Sequence, residues 1–193
     1  MICAALGALG IALHSGPAHS QTPVTIDDLR GAVIEASLTE EWVVRQDGME
    51  RHGKLDANWK IRVLSADAVH VTFTPTWHSS RGSKKAKSDV GVLKLERPGE
   101  TKVRGGGSRL WVFEEGVLTN LRTYRGGATT VNFAVLRNAK TFDCTANVSW
   151  LRETGVPNVI FRSVIADAWL ELLSAKQVAS NCRVTTRGEA AMP

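Results

Sequence analysis

The chain has 193 residues, of which 43% are hydrophobic, and its formal net charge at neutral pH is +5. This length allows one domain with a substantial core and excludes two domains of ordinary size. The positive charge is local, because residues 80–106 contain eight Lys or Arg and three Asp or Glu, while the rest of the chain is balanced. A protein that coats nucleic acid spreads its positive charge more widely, so the sequence predicts no specific nucleic-acid partner.

The N-terminal residues have the pattern of a secretory signal peptide. Residues 2–13 are apolar, and the small residues Ala18 and Ser20 follow at the two positions that a signal peptidase reads. A membrane-spanning helix needs roughly 20 apolar residues, so this run is too short to remain in the bilayer. We therefore predict a signal peptide at residues 1–20, a single all-β domain at residues 21–193, no membrane span, and a secreted or periplasmic location.

Alternation of apolar and polar residues predicts long β-strands in the first half of the chain. Residues 34–44, 55–63 and 69–77 carry apolar side chains at almost every second position. Asp47 and Gly48 separate the first two of these stretches. This dipeptide is typical of a tight hairpin turn in which both residues have positive φ, so the first two strands should pair as a hairpin.

Shorter apolar runs follow at a spacing of about ten residues, as in many all-β domains. They lie at residues 90–95, 110–114, 117–124, 130–136 and 142–151. Short turns separate most of them, and strands joined by short turns pair as antiparallel neighbours. The sequence therefore predicts an antiparallel meander of about eight to ten strands, arranged as a lipocalin-like barrel or as a sandwich.

The C-terminal part of the chain allows two interpretations. Apolar residues within residues 164–176 recur at helical spacing, and propensity favours a helix, although the same residues also allow a strand. Cys144 and Cys182 are the only cysteines after residue 20. In an exported protein we expect them to form a disulfide, the alternative being two buried thiols that do not meet.

Several stretches of the mature chain form a pattern with the two cysteines. They are residues 29–31, 39–40, 107–119, 131–133, 144–146, 162–165 and 180–184. Together they resemble a group of small exported bacterial β-proteins for which no activity is known. The resemblance implies that both cysteines belong to the pattern of that group and that residues 169–176 form a strand. It implies no function.

Candidate catalytic and metal-binding residues are few. The histidines after residue 20 are His52, His70 and His78, and none has a partner ligand at the spacing of a metal site. Ser108 follows three glycines, but Leu110 occupies the position of the second flanking glycine of a nucleophile elbow. We therefore predict no metal, no cofactor and no catalytic residue.

Glu40 is the one acidic residue on the apolar face of the first predicted strand. Burial would raise the pKa of its carboxyl and suit it to general acid catalysis, so a small hydrolytic enzyme centred on Glu40 and a histidine is an alternative function. We favour the interpretation that the strand bends or bulges and that Glu40 reaches solvent.

Three tryptophans, Trp42, Trp59 and Trp77, lie on the inward faces of consecutive predicted strands. They could line a cavity for an apolar ligand, as in a lipocalin-like carrier. They could instead fill a core, because an indole buries a large apolar area and packing is the commoner role of such a stripe. We favour the core.

The stretch at residues 78–89 is polar and basic and has no apolar periodicity. Its candidate anion-binding residues are Arg81, Lys84, Lys85 and Lys87. They could bind an anionic lipid or polysaccharide surface, although a mobile loop kept in solution by its charge is the simpler interpretation. The sequence thus predicts an exported, non-enzymatic binding or envelope-associated protein of unknown partner, with the apolar carrier and the hydrolase as alternatives.

Overall fold

The described part of the chain is built almost entirely from β-strands. A computed structural model describes residues 24–86, 91–97, 109–138, 141–163 and 168–186. The predicted signal peptide and Lys87 lie outside these residues. The strands are β1 (Val33–Gln46), β2 (Met49–Ser65), β3 (Ala68–Ser79), β4 (Gly82–Lys85), β5 (Gly91–Lys94), β6 (Arg109–Glu114), β7 (Val117–Tyr124), β8 (Gly127–Asn138), β9 (Thr141–Arg152), β10 (Val159–Ser163) and β11 (Ala168–Thr185). A short 3₁₀ helix, Asp27–Leu29, precedes β1.

The larger sheet has the strand order β10-β11-β1-β2-β3-β4, and β5 pairs with the beginning of β3. All of its pairings are antiparallel. Between β1 and β2, Asp47 and Gly48 have φ angles of 52° and 76°, which confirms the predicted hairpin turn. The sheet is curled into a half-barrel.

The smaller sheet is a meander of four strands in the order β6-β7-β8-β9. Isolated bridges between Glu96 and Val112 and between Arg125 and Ile160 connect the two sheets at two points. The predicted fold class, an antiparallel all-β protein with one disulfide, is confirmed. It takes the form of two facing sheets, of which the larger is a half-barrel.

The C-terminal strand β11 shows that the helix favoured by propensity over residues 164–176 is wrong for the described residues from Ala168 onward. β11 pairs with β1 from the Val33–Thr185 pair to the Arg45–Glu171 pair, and its first residues also pair with β10. Pairing on both edges overrides a weak helix propensity, because intrinsic propensities are small beside tertiary contacts. The strand implied by the resemblance is confirmed for residues 169–176.

The basic stretch is also more ordered than the sequence suggests. The predicted loop at residues 78–89 begins instead as a hairpin, in which His78 pairs with Ser83 and Trp77 with Lys84. A strand at a sheet edge is held by backbone hydrogen bonds and often carries charged side chains, so its sequence need not alternate. Residues 87–90 lie outside the described part of the chain.

Aromatic side chains from both sheets pack in two groups. One is the Trp42 cluster, whose members are Trp42, Trp77, Tyr124, Trp150 and Phe161. The other is the Trp59 cluster, whose members are Trp59, Phe73, Trp111 and Phe133. Because each cluster takes rings from both sheets, large rings separate the sheets at two places.

The disulfide joins the two sheets covalently. Cys144 lies in β9 and Cys182 in β11, with a Cα–Cα distance of 5.2 Å, so the predicted pairing is confirmed. Next to it, the backbone N–H of Val148 donates a hydrogen bond to Oε1 of Gln177 at 2.8 Å. These contacts fasten the second half of β11 to β9.

We expect the double variant Cys144→Ala/Cys182→Ala to unfold at a lower urea concentration. The bonded cysteines are 38 residues apart. Opening a loop of that length costs about 4 kcal/mol of stability by the chain-entropy argument. Urea denaturation followed by tryptophan fluorescence measures the change, and reduced wild-type protein is the matched control. An unchanged midpoint in both samples would contradict the structural role of the bond.

Candidate functional site

A cavity of about 1010 Å³ lies between the two sheets. Apolar side chains make up much of its wall, among them Leu38, Leu55, Ala57, Val131, Val148 and Leu170. Ligand pockets in proteins measure about 300–1,000 Å³, so this space is large enough for a small molecule of considerable size. It is open to solvent, because exposed residues also line it.

All three tryptophans predicted as candidates line this cavity. Trp42 and Trp77 are neighbours, with ring centroids 6.0 Å apart. Trp59 belongs to the other cluster and packs against Phe73, with a centroid distance of 4.1 Å. The core interpretation is therefore incomplete, since these rings pack on one another and also face open space.

Gly53 makes room for one of these rings. A Cβ atom at this position would lie 2.3 Å from Cζ2 of Trp77 and 2.5 Å from the backbone oxygen of His78. Any larger residue would have to displace the indole or the β3 backbone. The glycine in β2 thus allows Trp77 to lie across the neighbouring strand.

Glu40 points into the cavity, and the expectation that it reaches solvent is wrong. Its exposed fraction is 4%, and its Oε2 accepts hydrogen bonds from Nε1 of Trp42 at 2.9 Å and of Trp150 at 2.8 Å. A bulge does occur beside it, but the extra residue, Val178, belongs to β11. Because β1 itself keeps its alternation, Glu40 stays on the inner face.

The environment of Glu40 favours the neutral form of its carboxyl. Burial raises the pKa of Glu40 above its ordinary value, and the two indole hydrogen bonds oppose this shift only in part. The carboxyl group also connects the sheets, since Trp42 lies in β1 and Trp150 in β9.

Arg122 is a functional candidate that the sequence analysis missed. Its guanidinium carbon Cζ lies 4.9 Å from the ring centroid of Phe73 and 5.4 Å from that of Trp59, and the residue lines the cavity. Its Nε donates a hydrogen bond to Oδ1 of Asn120 at 3.1 Å. The alternation of β7 could have found it, because Arg122 shares a face with the fully buried Leu118.

Burial lowers the pKa of the Arg122 guanidinium from its ordinary value, and the neighbouring charge of Arg109 acts in the same direction, whereas Tyr124 opposes the shift. An arginine stays protonated in proteins even so. Arg122 therefore places a positive charge next to the aromatic and aliphatic part of the cavity wall.

The basic segment lies at the edge of the same cavity. Arg81 and Lys84 line it and are exposed, as is Arg109 of β6. Lys85 does not line it, and Lys87 lies outside the described residues. The structure thus brings together two features that the sequence analysis treated separately, the tryptophans and part of the basic segment.

A serine, a histidine and an aspartate meet on the larger sheet. Nδ1 of His78 lies 2.7 Å from Oγ of Ser83, and Nε2 of His78 lies 2.8 Å from Oδ2 of Asp56. Strand alternation places Asp56 and His78 on the opposite face of the sheet from the cavity residues Leu55 and Trp77, so only Ser83 reaches the rim. The contacts connect β2, β3 and β4 on a solvent-facing surface.

Sites of other kinds are absent from the same described ranges. No group of three or more His, Cys, Asp or Glu in them is placed to hold a metal ion. No helix in them is long and apolar enough to cross a membrane. Comparison of the chain with family profiles, curated proteins and solved structures finds no match. The case for a function therefore depends on the cavity.

We expect Glu40→Gln to become more stable relative to wild type as pH rises from about 4 to about 9. Because the pKa of Glu40 is raised on folding, the wild-type protein loses stability as pH rises from the ordinary carboxyl value through the raised one. Glutamine carries no charge, yet its amide oxygen can still accept the indole hydrogen bonds. Urea denaturation at several pH values measures the difference in free energy of unfolding.

Glu41→Gln is the matched control for this prediction, because Glu41 is the next residue and its side chain is exposed. The rise with pH should be larger for Glu40→Gln than for Glu41→Gln. Parallel stability curves for Glu40→Gln and wild type across the whole pH range would contradict an ionisable, buried Glu40.

Proposed function

We propose that this protein binds a small ligand with a large apolar part in the cavity between its two sheets. The observation that carries the proposal is a space of about 1010 Å³ that opens to solvent, with four tryptophans and several aliphatic side chains in its wall. A domain stabilised only by packing fills its interior at crystal-like density. Apolar walls facing open space are instead typical of carriers and other binding proteins.

The placement of the basic residues favours this function over attachment to a flat anionic surface. Arg81 and Lys84 lie where they meet whatever enters the cavity. Surface charges of this kind attract anions over a distance of about one Debye length and so assist entry. Binding to an anionic membrane or polysaccharide remains a prediction for the same hairpin.

The hydrolase alternative has less support. Glu40 accepts hydrogen bonds from two indoles, whereas His52 contacts Glu50 and His78 contacts Asp56. General acid and base catalysis needs a second titratable group within reach of the reacting atoms. Among the described residues, no hydrogen bond connects Glu40 to a histidine.

We further propose that the protein acts outside the cytoplasm, as the predicted signal peptide suggests. The Cys144–Cys182 disulfide supports this location, because such bonds persist mainly in oxidising compartments. A ligand with a large apolar part is poorly soluble there, so a protein that shields it would be useful in transport or storage.

The test uses N-phenyl-1-naphthylamine, an uncharged apolar probe that fluoresces in apolar surroundings. We expect saturable binding of one probe, with energy transfer from the tryptophans. Ala57→Phe should weaken binding at least about tenfold, equivalent to about 1.4 kcal/mol, because the new ring occupies part of the cavity.

Ala134→Phe is the matched control, because Ala134 lies in β8 and alternates with the cavity residue Val131 and the buried Phe133. It should bind the probe as wild type does. Non-saturable binding, or equal affinity of Ala57→Phe and Ala134→Phe for the probe, would contradict the proposed function.

A further inference from the structure

The buried guanidinium of Arg122 has no carboxylate beside it in the part of the chain that the structure describes. Among the described residues, no ion pair joins Arg122 to a carboxylate, and its Nη2 is buried without a hydrogen-bond partner. A buried charge with no opposite charge beside it lowers the stability of a protein, so the hydrogen bond to Asn120 compensates this guanidinium only in part. The stacking of Arg122 on two aromatic rings orders the side chain, and its Nη2 is the guanidinium atom that a ligand could still bind.

Two further unpartnered polar atoms lie beside this guanidinium. Within the described residues, Nε1 of Trp59 and Oγ1 of Thr129 are buried and have no hydrogen-bond partner, and both residues line the cavity. Thr129 is the cross-strand partner of Arg122 in the β7–β8 register. The indole of Trp59 is the ring on which Arg122 stacks. A fourth such atom, Nε1 of Trp111, belongs to a residue outside the cavity wall.

The three atoms share one chemical character. Guanidinium and indole N–H groups are donors only, and a threonine hydroxyl can donate as well as accept. Buried donors without acceptors cost free energy, and an anionic oxygen satisfies them with short, charge-assisted hydrogen bonds. A neutral apolar molecule would leave all three unsatisfied. The group of donors therefore fits a head group with two or three negatively charged oxygens.

We propose that the ligand is an amphipathic acid whose carboxylate or phosphate is bound by Arg122, Trp59 Nε1 and Thr129 Oγ1. This inference rests on the proposed function, since it names the ligand class of the same cavity. The apolar chain lies along the Trp42 cluster, which lines the cavity through Trp42, Trp77 and Trp150. Arg109 follows Arg122 in the same cross-strand row and adds positive charge where the cavity is exposed.

The raised pKa of the Glu40 carboxyl is compatible with an acidic ligand. An ionised carboxylate among the same aromatic rings would repel an acid, whereas burial keeps the carboxyl of Glu40 in its neutral form over a wider pH range. Glu50 also lines the cavity, but it is exposed and lies 3.1 Å from His52. The buried part of the wall therefore has positive charge at Arg122 and little opposing negative charge.

The test compares three twelve-carbon ligands in displacing N-phenyl-1-naphthylamine: dodecanoate, dodecyl phosphate and dodecanol. In wild type we expect at least one acid to bind about tenfold or more tightly than the alcohol. The reason is that hydrogen bonds to a charged group contribute more binding free energy than those to a neutral hydroxyl. Whichever acid is preferred identifies the head group as a carboxylate or a phosphate. In Arg122→Met the advantage of the acid should disappear, while dodecanol binds as before.

Arg125→Met is the matched control, because Arg125 is exposed and does not line the cavity. It should keep the preference for the acid. Methionine replaces the length of the arginine side chain without its charge, so the urea midpoint of ligand-free Arg122→Met should equal or exceed that of wild type. A purely structural role of Arg122 would lower that midpoint and weaken all three ligands equally.

Thr129→Val offers a second variant if Arg122→Met does not fold. It keeps the shape of the side chain and removes only the hydroxyl, so acid binding should weaken several-fold while alcohol binding stays constant. Equal binding of acid and alcohol to wild type, or an acid preference that survives in both variants, would overturn the inference. Failure of all three ligands and of the probe to bind would instead refute the proposed function.

Discussion

The hydrogen bonds from two indoles to one buried carboxyl keep the two sheets of this protein apart and so maintain the cavity between them. Trp42 and Trp150 come from facing sheets, and both donate to Oε2 of Glu40. Because the N–H edges of both rings are fixed at the same oxygen, the rings stand between the sheets as spacers. The disulfide between β9 and β11 fastens the sheets at a second place. With the spacing set at these points, the aliphatic side chains elsewhere cannot close the remaining gap.

Two kinds of buried polar group line the cavity. Glu40 is satisfied by the protein itself, so it serves the architecture. Arg122, Trp59 and Thr129 each retain a buried donor without an acceptor among the described residues. Such groups add little to the stability of a core, because replacing them by apolar side chains is often neutral or stabilising. Their position beside an apolar space is what a binding site for an acid with a long apolar chain requires.

The first three strands and the turn between the first two could be predicted from local sequence patterns. The alternation of β1, β2 and β3 and the Asp47-Gly48 turn involve neighbours in sequence, so the sequence alone was sufficient for them. The pairing of β11 with β1 could not be predicted in this way, because residues 33 and 185 become neighbours only when the sheet forms. The side chain of Glu40 points inward because the extra residue of the bulge lies in β11 and not in β1. The sequence of β1 alone does not show which of the two paired strands contains it.

The candidate site was predicted in separate pieces for a similar reason. Trp42, Trp59, Trp77, Arg81 and Lys84 were each identified from sequence, but facing sheets and a hairpin at the rim are needed to assemble them around one cavity. Arg122 was missed because a lone arginine in a short strand has the appearance of a solvent-facing residue. The alternation of β7 gives its face, and its position opposite Thr129 and against the Trp59 ring shows that it points into the cavity.

The most direct measurement is mass spectrometry of the organic extract of the protein, exported by its own cell and purified without detergent. We expect a long-chain acid in nearly equimolar amount, and much less of it in Ala57→Phe purified in the same way. An extract from wild type no richer in such acids than that from Ala57→Phe would contradict the claim that the cavity holds an amphipathic acid.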